Sequence, residues 1–148
     1  MSTKIQNILS RMILDSRGFP TIEVEIFLDN GLSATACVPS GASTGDKEAL
    51  ELRDQQSSHW HGKGVDKAIN NINTILKPKL LGLSPSNIKM IDQLMIELDG
   101  TENKSNIGAN AILAVSLACS RVAAKSHNQT LVNYLFNNFH KEKKLDES

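Results

Sequence analysis

The chain has 148 residues, enough for one domain with a sizeable core and too few for a barrel of about 250 residues in addition. Lys plus Arg matches Asp plus Glu at 16 each, so no global field draws the chain to nucleic acid, an anionic membrane surface or a polyanionic substrate. Cys37 in a strand-like run and Cys119 in a helical one have neither disulfide-framework density nor metal-ligand spacing, and are expected to be buried thiols in a reducing compartment. The start, Met1 to Gln6, lacks the apolar core and cleavage site of a secretory signal. The run Ala109 to Ala124, broken by Asn110, Ser116, Ser120 and Arg121, falls short of the roughly 20 apolar residues that span a bilayer. A cytoplasmic location with no membrane partner is therefore expected.

Apolar and polar residues alternate from Ile5 to Asp15 and from Thr21 to Asp29, with Ile22, Val24, Ile26 and Leu28 on one face and Glu23 and Glu25 on the other. The turn residues Asp29-Asn30-Gly31 lead to a third strand, Leu32 to Val38, and the short connections predict an antiparallel meander. Lys47 to Leu52 reads as a short acidic helical stretch. Val65, Ile69, Ile72, Ile75 and Leu76 recur at helical spacing up to Pro78, which is expected to end that helix. The next helix is predicted to have Ser84 as its cap, Pro85 at its first position, the apolar stripe Ile88, Ile91, Leu94, Met95 and Leu98, and a stop at Gly100. An apolar helix follows from about Asn106 to Lys125, with Asn103-Lys104-Ser105 read as its cap. A last amphipathic segment, Leu131 to Phe139, presents Leu131, Leu135, Phe136 and Phe139 with Tyr134 beside them. Strands first and helices after predict an α+β domain, a three-stranded antiparallel β-meander followed by a helical bundle packed on it. Residues 1–139 are assigned to this domain, and 140–148 to a charged, frayed tail.

Between the third strand and the acidic stretch lies Pro39-Ser40-Gly41-Ala42-Ser43-Thr44-Gly45. Small side chains and free backbone N–H groups suit such a segment to closing over a charged ligand, although hydroxyl and glycine residues equally serve plain turns. It is not a Walker A loop, because Ala42 stands where a lysine would precede the terminal Ser-Thr. Its neighbours are more informative: Asp15-Ser16-Arg17-Gly18-Phe19-Pro20-Thr21, Glu48-Ala49-Leu50-Glu51-Leu52-Arg53-Asp54, Gly62-Lys63-Gly64-Val65, Leu98-Asp99-Gly100-Thr101-Glu102-Asn103-Lys104-Ser105 and Gly108-Ala109-Asn110-Ala111-Ile112-Leu113-Ala114. In this order the blocks resemble the N-terminal domain of the enolase family, from Ile5 to about Leu135.

That resemblance implies the same α+β fold and a part in a glycolytic lyase, phosphopyruvate hydratase, which interconverts 2-phosphoglycerate and phosphoenolpyruvate. Its base, its acid and its acidic magnesium ligands lie on a C-terminal barrel for which this sequence has no counterpart. Hence no catalytic residue is expected here, and the chain alone is expected to be inactive. The resemblance assigns Ser40, Gly41, Ala42, Ser43, Thr44 and Gly45 to a substrate lid loop, and Ser43 to contact with Mg2+. Arg11 and Glu23 match positions that pair across a dimer boundary. The expected partners are an enolase barrel domain or enolase subunit, with 2-phosphoglycerate or phosphoenolpyruvate bound only in its presence. A non-catalytic interaction module or a truncated remnant is the alternative.

Other clusters have plainer explanations. His59-Trp60-His61 lacks a further metal ligand nearby and is expected to be a loop packed by Trp60. Arg17 is expected to pair with Asp15 or Glu23, and Glu48, Glu51 and Asp54 to form a solvated helical face. Phe19, where the family usually has asparagine, and Gln55-Gln56, in place of a glycine-containing turn, are expected to stiffen or reshape their turns.

Overall fold

The computed structural model describes residues 3–39, 45 and 47–140. Three strands, β1 (Ile5–Leu14), β2 (Pro20–Leu28) and β3 (Ser33–Cys37), form one antiparallel sheet in the order β1-β2-β3. The register pairs Ile8 with Ile26, Arg11 with Glu23 and Leu14 with Pro20, and a bulge between Ile5 and Asn7 shifts the start of β1. Because side chains alternate across a strand, β2 sends Ile22, Val24, Ile26 and Leu28 to one face, where all four are fully buried. Thr21, Glu23, Glu25 and Phe27 take the other.

The helices α1 (Asp66–Asn71), α2 (Lys77–Leu80), α3 (Ile88–Asp99), α4 (Ala109–Ser126) and α5 (Leu131–Phe139) follow the sheet. Helix α4 lies against β2 and β3. Its inward residues are small, with Ala111, Ala114 and Ala118 beside Val115, Cys119 and Val122, so the helix can approach the sheet closely and share one core with Ile72, Leu76, Ile91 and Met95. At the sheet's far edge, Arg121 donates to the Thr35 carbonyl and Lys125 to the Ser33 carbonyl, each at 3.0 Å. The α+β architecture expected from the order of elements is the one observed.

Several local expectations need correcting. Lys47 to Leu52 is not helical; it runs as a turn and an extended segment whose backbone bonds go to distant partners. Pro78 does not end its helix. The chain widens into a π-helical turn at Ile72–Leu76 and continues through Pro78 to Leu80 as α2. A π turn accommodates the missing proline N–H and the ring that would otherwise crowd the preceding turn. Helix α3 begins at Ile88, three residues later than a Ser84 cap implies, because Ser84 instead accepts from Ser86 N and Asn87 N in a separate turn. Helix α4 begins at Ala109 after Gly108, and Ser105 bonds back to Thr101 rather than capping it. Among the described residues no helix is long and apolar enough to cross a membrane. Of the predicted tail, 140–148, His140 follows the last helix and residues 141–148 lie outside the described residues.

Candidate functional site

The segments that flank the Ser/Gly loop are held by buried polar contacts. Before it, Val38 donates to the Ile22 carbonyl at 3.0 Å and its own carbonyl accepts from the Thr21 hydroxyl at 2.6 Å, which extends β3 by one residue. After it, Leu50 N–H donates to the Asn103 carbonyl at 2.7 Å, and the Leu50 carbonyl accepts from Ala109 N–H at 2.8 Å. The buried Asn110 amide then grips Leu52 from both sides: Oδ1 accepts from Leu52 N–H and Nδ2 donates to the Leu52 carbonyl, each at 3.0 Å. A side-chain amide here replaces a neighbouring strand, so no backbone group of Leu52 is left unpaired. Gly108 makes the approach possible, since a Cβ there would stand 2.6 Å from the Leu52 Cβ and φ is +101°. Between these anchors is a shallow recess of about 110 Å³ lined by Val38, Pro39, Glu48, Glu51, Asn110 and Leu113.

The acidic residues of this region do not form a solvated helical face. Glu48 accepts from Gly45 N–H at 2.9 Å, which ties down the end of the loop. Glu51 pairs with Arg53 at 2.6 Å, and Arg53 also donates to the Lys63 and Pro20 carbonyls, joining three segments. Asp54 caps α1, accepting from Asp66 N–H at 2.7 Å and Lys67 N–H at 3.1 Å, where the helix dipole favours a carboxylate. The contact requires Gly64, whose Cβ would stand 2.7 Å from Asp54 Oδ2. Asp99 organises the loop that leads to Gly108: it accepts from Ile107 N–H at 2.6 Å, from Thr101 N–H at 3.0 Å and from the Thr101 hydroxyl. Burial opposes its ionisation, but the bonds from Ile107 and Thr101 outweigh burial and hold the carboxyl below its usual range.

Of the residues singled out from sequence, Gly45 is seen at the loop's end, whereas Ser40, Gly41, Ala42, Ser43 and Thr44 lie outside the described residues. Magnesium favours six oxygens in octahedral array. The described residues do not fit that demand: they contain no group of three or more His, Cys, Asp or Glu able to hold a metal ion. Glu48 and Glu51, the carboxylates lining the recess, are engaged by Gly45 and Arg53. His59 and His61 are exposed in a single 3-10 turn, and Trp60 does not pack the loop but is 42% exposed. The unusual backbone falls on Trp60 and His61, with φ of 56° and 51°, and not on Gln55-Gln56. Phe19 is likewise unstrained, because Gly18 takes the positive φ and the Phe19 ring sits 3.7 Å from the Lys63 ammonium.

On the open face of the sheet, Arg11 bonds Glu23 at 2.8 Å and Glu25 at 2.7 Å, so the two residues matched to a dimer boundary are paired with each other here. The Glu25 hydrogen bond, with the field of Glu23, raises the guanidinium pKa above its ordinary value. Arg17 pairs with Asp15 at 3.6 Å, as expected. Cys119 is buried, but Cys37 is exposed, which corrects the expectation for it. Desolvation and a 3.4 Å contact to Glu23 raise the Cys37 pKa, leaving it a poor thiolate.

Against known families, the model for "Enolase, N-terminal domain" matches residues 5–135. The chain belongs to the enolase N-terminal domain family. It is 58% identical to the enolase of Methanosarcina barkeri over 132 residues, which cover 89% of this chain and 31% of that relative. The corresponding figures for the enolase of Methanosarcina acetivorans are 58% over 131 residues, 88% and 30%. The chain thus spans about a third of the length of the curated relatives it matches. Within this enolase domain the anchors Asn110, Gly108, Asp54 and Arg53 were not predicted as functional residues. The signal available for them was their place in the Gly108-Ala109-Asn110 and Leu52-Arg53-Asp54 blocks that carry the resemblance.

Proposed function

We propose that the chain serves as the capping domain of an enolase-type lyase, interconverting 2-phosphoglycerate and phosphoenolpyruvate in cytoplasmic glycolysis only together with a barrel domain. The observation that carries this is the 58% identity over 132 residues, which runs through both sets of anchors around the Ser40–Gly45 loop. Ser43 is proposed to offer its hydroxyl and carbonyl oxygens to a Mg2+ held mainly by barrel carboxylates. When bound, that ion stabilises the charge developing beside the substrate carboxylate. This chain's own contribution is positional: Thr21, Asn110 and Glu48 fix where the loop leaves and rejoins the fold, so that it closes over a site it does not itself contain and excludes water.

The test is coupled formation of phosphoenolpyruvate from 2-phosphoglycerate with magnesium, using the chain alone and mixed with a separately produced enolase barrel. Activity in the mixture only, lowered at least tenfold by Ser43→Ala, is the expected result. Activity of the chain alone would refute it, as would a mixture indifferent to Ser43.

A second proposed role, docking on an enolase subunit without catalysis, is favoured by the open sheet face, where Leu9 is 42% exposed beside Arg11 and Glu23. A boundary contact there would require Arg11 and Glu23 to exchange their mutual bond for new partners. Co-purification with an enolase barrel that Arg11→Ala abolishes would support this role, and co-purification unaffected by that change would exclude the face.

A further inference from the structure

The connection between β2 and β3 carries chemistry that neither the core nor a capping role uses. Asp29, Asn30 and Gly31 are exposed, and Asn30 is the one asparagine of the chain that is followed by glycine. The three residues form a tight hairpin loop: Gly31 N–H donates to the Leu28 carbonyl at 3.1 Å, Leu28 N–H donates to the Leu32 carbonyl at 2.8 Å, and Gly31 supplies the positive φ, +84°, that such a loop requires. Within it the Asn30 side chain folds back along the main chain that follows, its Oδ1 accepting from Leu32 N–H at 3.1 Å.

This arrangement prepares the Asn30 side-chain carbon for attack by the Gly31 nitrogen. The bond from Leu32 N–H polarises the side-chain carbonyl and stabilises the negative charge that forms on Oδ1 when a nitrogen adds to Cγ. The attacking nitrogen carries no neighbouring side chain, and a Cβ built on Gly31 would meet nothing within 4 Å, so its approach is unshielded. Opposing the reaction is the Leu28 carbonyl, which holds the Gly31 N–H, but that single bond lies on an exposed turn, where local opening is easiest. Other asparagines differ on each count. Asn71 and Asn110 are buried in helices, their amides are bonded to distant backbone, and the side chains of Ile72 and Ala111 flank the nitrogens that would attack.

We propose that Asn30 is a modification site, deamidated in the folded chain by its own backbone to aspartate and isoaspartate. The Gly31 nitrogen, its proton lost to hydroxide, bonds to the Asn30 Cγ; the C–N bond of the side-chain amide breaks, and ammonia leaves with a proton from water. The five-membered succinimide is then opened by water at either carbonyl. One water is consumed and one ammonia released, with no oxidant or reductant. The isoaspartyl product puts an extra methylene into the main chain and a new carboxylate beside Asp29, the residue that ties down the start of β1 through Lys4. The site is independent of the Ser/Gly loop and of any barrel.

The test is to age the full chain in mildly alkaline buffer, with and without urea, and to follow the peptide containing Asn30 by mass spectrometry. Isoaspartate is counted separately by enzymatic methyl transfer from S-adenosylmethionine. In the folded chain, conversion at Asn30 is expected to run at least about tenfold faster than at any other asparagine, because the reacting groups are held together there. Asn30→Gln, whose longer side chain would have to close a six-membered ring, is expected to abolish both signals. Gly31→Ala is expected to slow them, and far-UV circular dichroism shows that each variant still folds. An Asn30 that stays intact in the folded chain, whether or not urea releases it, would overturn the proposal. Conversion spread evenly over the other asparagines, or isoaspartate that persists in Asn30→Gln, would do the same.

Discussion

Asn110 shows how much one side chain can determine. Replacing it by alanine leaves the N–H and carbonyl of a buried Leu52 without partners, and we expect a loss of about 2 to 3 kcal/mol, read as a lower urea midpoint with unchanged slope. Gly108→Ala is expected to cost at least as much, because its Cβ collides with Leu52 and its φ is positive. Two carboxylates on α3, Asp92 half-buried and Asp99 buried, behave in opposite ways. Asp92 has an Oδ1 with no hydrogen-bond partner among the described residues, and burial raises its pKa against a weaker lowering by Ser116. Its folded pKa exceeds the unfolded one, so the penalty builds as pH rises through the usual carboxylate value of about 3.9 and is complete above the raised value. Asp92→Asn should therefore stabilise the chain at neutral pH, with the gain vanishing below pH about 4 in pH-resolved thermal melts. Asp99 is depressed, so its contribution is present above pH about 3.9 and is lost as pH falls toward the folded value. Asp99→Asn should destabilise at neutral pH, and the deficit should shrink in acid.

At the level of elements, legibility followed hydrophobic period. The strands and α3 to α5 were legible because their apolar residues recur every second or every third to fourth position, and one buried face is all that such a pattern encodes. Where the determinants are polar and distant in sequence, pattern fails. Glu48, Glu51 and Asp54 have helical spacing, yet each is claimed by a different long-range or turn contact, with Gly45, Arg53 and the α1 N-terminus. Ser84 and Ser105 look like caps, but Asn87 and Gly108 occupy those positions: Ser84 closes a separate turn with Ser86 and Asn87, and Asp99 and Thr101 hold the loop that carries Ser105. Pro78 was misread because a propensity rule takes no account of a π turn. Ser43 could be assigned from resemblance alone, since no local pattern marks one hydroxyl in the loop above its neighbours. The cap at α1 gives a prediction at this scale: Asp54→Ala should cost about 1 kcal/mol, while Asp54→Asn, which keeps one accepting oxygen, should cost less, measured by chemical denaturation.

For the whole molecule, one core joins sheet and helices, and the features left over lie on its outside: the loop anchors, the open sheet face with Arg11, and the exposed Val132, Phe136 and Phe139 of α5. If the domain caps a barrel, mixing it with one should protect the amides of Leu50 and Leu52 little, since they are already bonded, and should protect the open-face strand residues only where docking covers them; hydrogen exchange distinguishes the two. The arginine and lysine of α4 that reach over to the carbonyls of Thr35 and Ser33 have a different significance for the molecule's fate in a crowded solution. They occupy two outward carbonyls that an incoming strand would need on the β3 side, and at the start of β1 the Ile5 N–H and carbonyl are likewise engaged, by Leu83 and Gly82. An incoming strand therefore meets an interrupted ladder on either side, and the sheet is a poor template for growth by strand addition.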